Sequence, residues 1–452
     1  MKVCKFGGTS LASGAQIKKV FDIVMADSER KIIVISAPGK RNKDDIKVTD
    51  LLIKCANAYL ADRDADSEIR EVSGRFSEIE RELGISEGFG AFVSKTLKEL
   101  MGYNFKNPSM LVDAVKAMGE DFNARLTAKY FRSMGAEAEY LSPRDAGMLL
   151  SGDFGNAQVL PETYENLGRL RDSEKIIIFP GFYGYTPGGT VATFPRGGSD
   201  ITGSILAAAV KADIYENFTD VDSVFAANPN IIENPKAIAE FTYREMRELS
   251  YMGFSVLHEE TLIPVFKAGI PVNIKNTNNP SAPGTLILPH RDVSVNKVAG
   301  IANAGNFSVV HVTKYMMNRE IGFGRKLLQI LEEENISYDH SPSGIDSISV
   351  VFKKTQTPQA TIEKVVSRIN AELEVDNVEV RNDFSLITLV GEGMKSTVGL
   401  AARATRALSE INVNIEMLSQ GDDEISMLFG VESVSETEAV KALYAAFFGG
   451  NS

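Results

Sequence analysis

Lys2-Val3-Cys4-Lys5-Phe6-Gly7-Gly8-Thr9-Ser10 reads as a short apolar-rich strand that stops at a glycine pair, and a helical pattern then runs to about Ala26. A strand that ends in glycines and passes directly into a helix is the start of an α/β unit. The glycines let a ligand approach the backbone, and the helix N-terminus offers unpaired amides and the positive end of its dipole. Working outward, Lys31 to Ile35 is a second buried strand, closed by Ser36-Ala37-Pro38-Gly39. Residues 40–115 are mostly helix-compatible, and Val112 to Met134 continues as helix. Ala138 to Leu141, Ile176 to Phe179, Ile214 to Phe218 and Val272 to Ile274 are further strands. Val191 to Phe194 is one arm of a hairpin, and Ile201 to Val210 is a helix rich in small residues. Strands and helices alternating over roughly 300 residues imply an α/β sandwich around a mainly parallel sheet.

The pattern changes after Pro280, Pro283, Gly284 and Pro289, which read as a linker. A repeat follows. Phe307 to Thr313 is a strand, Gly322 to Glu334 a helix, Ser347 to Phe352 a strand and Thr361 to Glu372 a helix. Ser385 to Val390, Ser396 to Glu410, Ile425 to Val431 and Glu436 to Ala446 repeat that order. Short strands near Ile336 to Asp339 and Asn414 to Leu418 complete two β-α-β-β-α-β units. The expected division is 1–290, 300–378 and 379–452.

Composition narrows the function. Lys and Arg number 48 against 60 Asp and Glu, a net charge of -12, which opposes extended nucleic-acid binding. No stretch of about 18 apolar residues suggests a membrane span, and no basic-then-apolar leader suggests secretion. Cys4 and Cys55 lie in apolar surroundings; a structural disulfide is the alternative, and a reduced cytoplasmic chain is the simpler expectation. The four histidines and two cysteines have no zinc-ligand spacing, and no protein-only metal site is expected.

The glycine-rich elements carry the chemistry. Lys5 beside Gly7 and Gly8 would offer a cation to a transferring phosphoryl group, although a turn with a snorkelling lysine has the same pattern. Phe194-Pro195-Arg196-Gly197-Gly198-Ser199-Asp200 also precedes a helix. Arg196 supplies a planar fork that matches a carboxylate, and Asp200 could orient Lys5; an ordinary N-capping loop is the plain alternative. Gly181 to Gly184 and Pro187 to Thr190 add glycine-rich backbone upstream. Glu120, on a helix, is otherwise a surface charge. Thr219-Asp220-Val221-Asp222 closes a strand at the end where open α/β sheets gather ligands. Asp213 and Glu216 flank that strand, and His258 is equally well a packed side chain. Lys40-Arg41-Asn42-Lys43, after a proline-glycine turn, reads as a basic lid.

These residues resemble the aspartate kinases of the amino-acid kinase superfamily. The signature is KFGGTS at Lys5 to Ser10, followed in order by Arg196 to Asp200, Phe218 to Asp222 and Val256-Leu257-His258. The paired C-terminal units resemble ACT domains, with Gly391-Glu392-Gly393-Met394 in the second. The resemblance spans almost the whole chain and is to the monofunctional enzymes. It implies a three-layer αβα kinase domain over 1–290 and ferredoxin-like regulatory domains over 300–378 and 379–452. The implied activity is transfer of the γ-phosphoryl group of ATP to the β-carboxylate of L-aspartate, the first step toward lysine, threonine and methionine. The alternative is a weakly catalytic amino-acid sensor.

By the same resemblance, Lys5, Gly8 and Asp200 are catalytic. Thr49, Glu120, Arg196, Gly198 and Ser199 hold aspartate. Lys5, Gly7, Gly8, Ser10, Thr219, Asp220, Phe225, Asn230, Ser255 and Val256 line the nucleotide, with Mg2+ carried mainly by ATP. The chain departs from the family at Phe225, Asn230 and Ser255, where a tyrosine, an arginine and a lysine are usual. The effector amino acid, lysine with threonine as the alternative, is expected at Met317, Gly322, Phe323, Gly324, Tyr338, Asp339 and Asp346. The same resemblance implies a homodimer, or a dimer of dimers, formed through the ACT domains.

Overall fold

The computed structural model describes residues 1–254, 259–294, 296–395, 397–421 and 425–449. The chain forms two compact units. The first comprises Met1–Val224, Ala237–Arg247 and Ser255–Arg291; the second comprises Phe225–Lys236, Glu248–Phe254 and Asp292–Ser452.

The first unit is built on an eight-stranded sheet. Its strands include β1 (Lys2–Phe6), β2 (Arg30–Ile35), β3 (Ala138–Tyr140), β4 (Ile176–Pro180) and β7 (Ile214–Thr219), the hairpin β5 (Tyr183–Tyr185) and β6 (Val191–Thr193) standing apart. Across the sheet the order is Glu240–Thr242, Thr285–Leu288, Val272–Asn276, β7, β1, β2, β4, β3. All neighbours run parallel except Thr285–Leu288 against Val272–Asn276. The stretch expected as a linker therefore contributes a strand. Gly284, in a left-handed conformation (φ 80°), turns the chain into it.

Five helices cover one face: α1 (Gly14–Met25), α2 (Val48–Asp62), α3 (Asp66–Leu83), α4 (Phe89–Met101) and α5 (Pro108–Ser133). Helix α3 shows why these segments fold as they do. Ile69, Val72, Phe76, Ile79 and Leu83 recur at helical spacing and are all buried, and Gly84 (φ 75°) ends the helix. Each such side chain contributes about 1.5–3 kcal/mol on burial. In α5, Asn107 caps the N-terminus by accepting from the Met110 amide, and Pro108 occupies the first turn.

Side chains alternate across β1. Cys4 and Phe6 join the core formed with α1 to α5, so Val3 and Lys5 face the other side, where the helix Gly198–Ala209 packs. That alternation brings the lysine to the functional end of the sheet.

The second unit contains a five-stranded antiparallel sheet in the order Ser347–Lys353, Gly300–Thr313, Asn377–Val390, Ser426–Glu432, Met417–Gln420. The expected first strand, Phe307 to Thr313, is the second half of a longer one. Its early residue Ile301 packs with Phe429 and Leu443, while Val310 and Val312 pack with Leu327 and Ile369. One strand thus serves both cores. The strand expected near Ile336 to Asp339 is replaced by single bridges from His340 to Val351 and Ser343 to Ile348. Its counterpart in the second half is a strand at Met417–Gln420.

Candidate active site

A cavity of about 810 Å³ opens where β1, β2 and β7 end and the helix Gly198–Ala209 begins. It brings together Lys5, Gly7, Gly8, Thr49, Glu120, Arg196, Gly198, Ser199, Asp200, Thr219 and Asp220, segments far apart in the sequence. Crevices at the carboxyl ends of parallel strands have this origin, because each strand delivers its following loop to the same edge.

Lys5 is buried and its Nζ lies 2.6 Å from Oδ1 of Asp200. Asp200 occupies the first turn of its helix, where a carboxylate is favoured by the dipole. Asn217, opposite Lys5 in the β1–β7 register, donates from Nδ2 to the same Oδ1 at 2.7 Å. The Tyr215 hydroxyl donates to the Asp200 carbonyl at 3.2 Å. Gly197 precedes the helix with φ 77°, a left-handed turn that suits glycine.

The opposite wall is backbone-rich. Gly7 and Gly8 meet Ser36, Ala37, Pro38 and Gly39 there, and the Gly39 amide donates to the Gly8 carbonyl at 2.8 Å. A Cβ on Gly39 would stand 2.5 Å from the Gly8 carbonyl carbon, so the two loops touch as only glycine permits.

Glu120 is 5% exposed, not a surface charge. Its Oε2 has no hydrogen-bond partner among the described residues. Desolvation pushes its pKa up to about 8, opposed by the backbone amides and by Lys116. Arg196 is exposed at the rim and makes no ion pair with a described residue.

Several lining residues escaped sequence reasoning. Lys116 lies one helical turn before Glu120 and is held by Asp113 at 2.9 Å. Asp113 also accepts from the amides of Gly155 and Thr193, at 2.9 and 2.8 Å. Phe182 lines the cavity with φ 75°, held by a 3.0 Å bond from its amide to Thr202. Lys47 reaches the cavity from the loop after β2. The i, i+4 spacing of Lys116 and Glu120 was the available signal for Lys116, and Phe182 lies within the glycine-rich Gly181 to Gly184 stretch already noted.

Other expected positions lie elsewhere. Ser10 is buried and bonded to Thr277 at 2.7 Å, bracing the turn behind the wall. Phe225 and Asn230 belong to the second unit and are not among the lining residues. Ser255, Val256 and His258 lie outside the described residues. Glu216 is buried against Arg30, with Nε at 2.6 Å and Nη2 at 3.1 Å, a structural pair. Arg41 of the basic segment is bound by Asp45 and Glu78.

In the second unit, the two expected effector loops meet. The Met316 amide donates to Oδ1 of Asp346 at 2.7 Å, and the Asn318 amide to the Ile345 carbonyl at 3.1 Å. Gly322 (φ 80°) starts the helix Phe323–Glu333, and Met317 is buried. Asp339 accepts from the Tyr251 hydroxyl at 2.6 Å. Gly324 lies in the first turn of that helix, and half-exposed Tyr338 lies in the second of these loops.

The chain is also similar to known proteins. Residues 1–276 match the amino acid kinase family, and residues 387–447 match the ACT domain. Aspartokinase 3 of Bacillus subtilis (strain 168) is 54% identical over 450 residues, covering 100% of this chain and 99% of that protein. The aspartate kinase of Clostridium acetobutylicum superposes with a TM-score of 0.88 at 41% identity, covering 99% and 100%. Aspartokinase III of E. coli, solved with aspartate and ADP, superposes with a TM-score of 0.80 at 23% identity, covering 99% and 100%, a likeness of fold. No described helix is long and apolar enough to cross a membrane.

Proposed function

The chain belongs to the amino acid kinase family, as an ATP-dependent aspartate kinase with C-terminal ACT domains under allosteric control, and on that premise we propose how its cavity divides the work. The observation that carries the assignment is the buried Lys5–Asp200 pair, facing a glycine-built wall in the cavity that also holds Arg196 and Glu120.

The phosphates of ATP lie along Gly7, Gly8 and the N-terminus of the helix Gly198–Ala209, with Thr219 and Asp220 on the nucleotide side. Arg196 clamps a carboxylate of aspartate, and the unpartnered Oε2 of Glu120 accepts from its ammonium group; Thr49 and Ser199 complete that end. The β-carboxylate oxygen attacks the γ-phosphorus, the bond to the β–γ bridging oxygen breaks, and ADP leaves. Lys5 stabilises charge on the transferring group, and Asp200, steadied by Asn217, fixes where that cation points.

Magnesium fits as a passenger of the nucleotide. No cluster of three or more His, Cys, Asp or Glu side chains converges among the described residues. Of the cavity carboxylates, Asp200 is taken by Lys5 and Glu120 is deeply buried, leaving Asp50 and Asp220 nearer to solvent. Those two carboxylates would be the ones within reach of a nucleotide-borne Mg2+, which would supply positive charge to the phosphates. The proposed division of labour places catalysis in residues 1–290 and control in 300–378 and 379–452. The proposed setting is the cytoplasm, in keeping with the free Cys4 and Cys55.

Trapping the acyl phosphate with hydroxylamine tests the reading. Product should require ATP, Mg2+ and aspartate together; folded protein that forms none would overturn it.

A further inference from the structure

Arg75 sits in the middle of α3 and is absent from the cavity lining, yet it is only 6% exposed. Its Nη1 donates to Oδ2 of Asp45 at 2.8 Å and to the Ile46 carbonyl at 3.1 Å. Its Nη2 donates to the Gly39 carbonyl at 3.0 Å and the Ala12 carbonyl at 3.5 Å. These four acceptors belong to two loops. Ala12 follows the glycine turn after β1; Gly39, Asp45 and Ile46 belong to the loop after β2. The same loops supply the backbone-rich cavity wall.

The wall has little slack, because the Gly8–Gly39 contact leaves no room for a side chain. A second tie reinforces the first. Arg41 holds Asp45 through Nε at 2.9 Å and also pairs with Glu78, one turn beyond Arg75 on α3. The helix itself is anchored by Val72, Phe76 and Ile79 in the core. The loop read from sequence as a lid is therefore fastened at two points to a fixed helix.

We propose that Arg75 is a positioning residue for phosphoryl transfer: it locks the loops after β1 and β2 together and so sets the phosphate-facing wall and the reach of Lys47 into the cavity. A lysine cannot replace it, since one ammonium nitrogen cannot serve acceptors spread around a planar fork. Displacements of about 1 Å in such a wall can cost on the order of 100-fold in rate. The inference rests on the placement of ATP phosphates at this wall.

The test is steady-state kinetics of Arg75→Ala, Arg75→Lys and Asp45→Asn, well below each variant's Tm. Ile79→Val, on the core side of the same helix, controls for lost stability, and Lys5→Met controls for the site. Arg75→Ala and Arg75→Lys should lower kcat at least 10-fold and raise the KM for ATP, with a smaller change in the same direction for Asp45→Asn. Millimolar guanidinium should restore part of the kcat of Arg75→Ala. Ile79→Val should lower Tm and keep its kinetics. Values within twofold of wild type in Arg75→Ala, or an equal loss in Ile79→Val, would overturn the positioning role. Should the arginine variants be insoluble, Asp45→Asn decides, and unchanged kinetics there overturn it too. Activity surviving Lys5→Met would instead indict the assignment of the cavity.

Discussion

Lys5 and Asn217 stand opposite each other on neighbouring parallel strands, and both reach the same carboxylate oxygen of Asp200. The parallel register makes this so: residues paired across β1 and β7 point to the same face, where one helix supplies the acceptor. The cation is thereby aimed before any substrate arrives, which is the preorganisation that phosphoryl transfer requires.

Lys5→Met should lower kcat by about 10²- to 10³-fold, the range seen when one oxyanion donor is removed. Asp200 would keep its bond from Asn217, so the fold should survive. Hydroxamate kinetics beside a thermal melt check this; a kcat within threefold of wild type would remove Lys5 from the chemistry.

Arg196→Ala should act differently. The side chain is exposed and has no ion-pair partner among the described residues, so stability should change by no more than about 0.5 kcal/mol. The KM for aspartate should rise about 10- to 100-fold, as expected for losing a hydrogen bond to a charged group. An unchanged aspartate KM and kcat would place the carboxylate clamp elsewhere.

Glu120 should make both stability and aspartate binding pH-dependent. Its folded-state pKa is raised to about 8 by desolvation, above the ordinary 4.5. The native state then holds a proton that the unfolded chain has lost. This contribution to stability is complete below about pH 4.5 and declines as pH rises toward 8, by at most about 1.4 kcal/mol per unit. Glu120→Gln should remove that slope, so denaturant melts of the two proteins should diverge in favour of the variant between pH 5 and 8. Aspartate binding near pH 7 should release a proton as the substrate's ammonium group ionises Glu120. Calorimetry in buffers of different ionisation enthalpy reads this, and buffer-independent heats would contradict it.

Lysine should bind in the loops around Asp339 and Asp346 and inhibit. Asp339 is held by Tyr251 and Asp346 by the Met316 amide, so a basic effector must share or displace these donors. Asp339→Ala with Asp346→Ala should weaken lysine at least 10-fold in a calorimetric titration. Binding that survives both changes would move the site. Inhibition further requires that lysine favour a less active conformation.

The sequence alone determined the alternation of strands and helices in the first unit, and it marked most of the cavity. Strand ends and glycine turns are local features, so Lys5, Gly7, Gly8, Arg196, Asp200, Thr219 and Asp220 could be read from short stretches. Tertiary structure decided what depends on the surroundings of a side chain. Glu120 lies on a helix buried nearly all round, between the sheet and its fellow helices, and only that enclosure turns an ordinary glutamate into a proton-holding one. Lys116 gained its place from Asp113, and Arg75 its place from two loops remote in the chain. The Gly300–Thr313 strand divides between two cores because its register shifts between Ala304 and Val309, which no repeat in the sequence discloses. Local patterns encode elements and their ends; burial, partners and register arise only when distant segments pack.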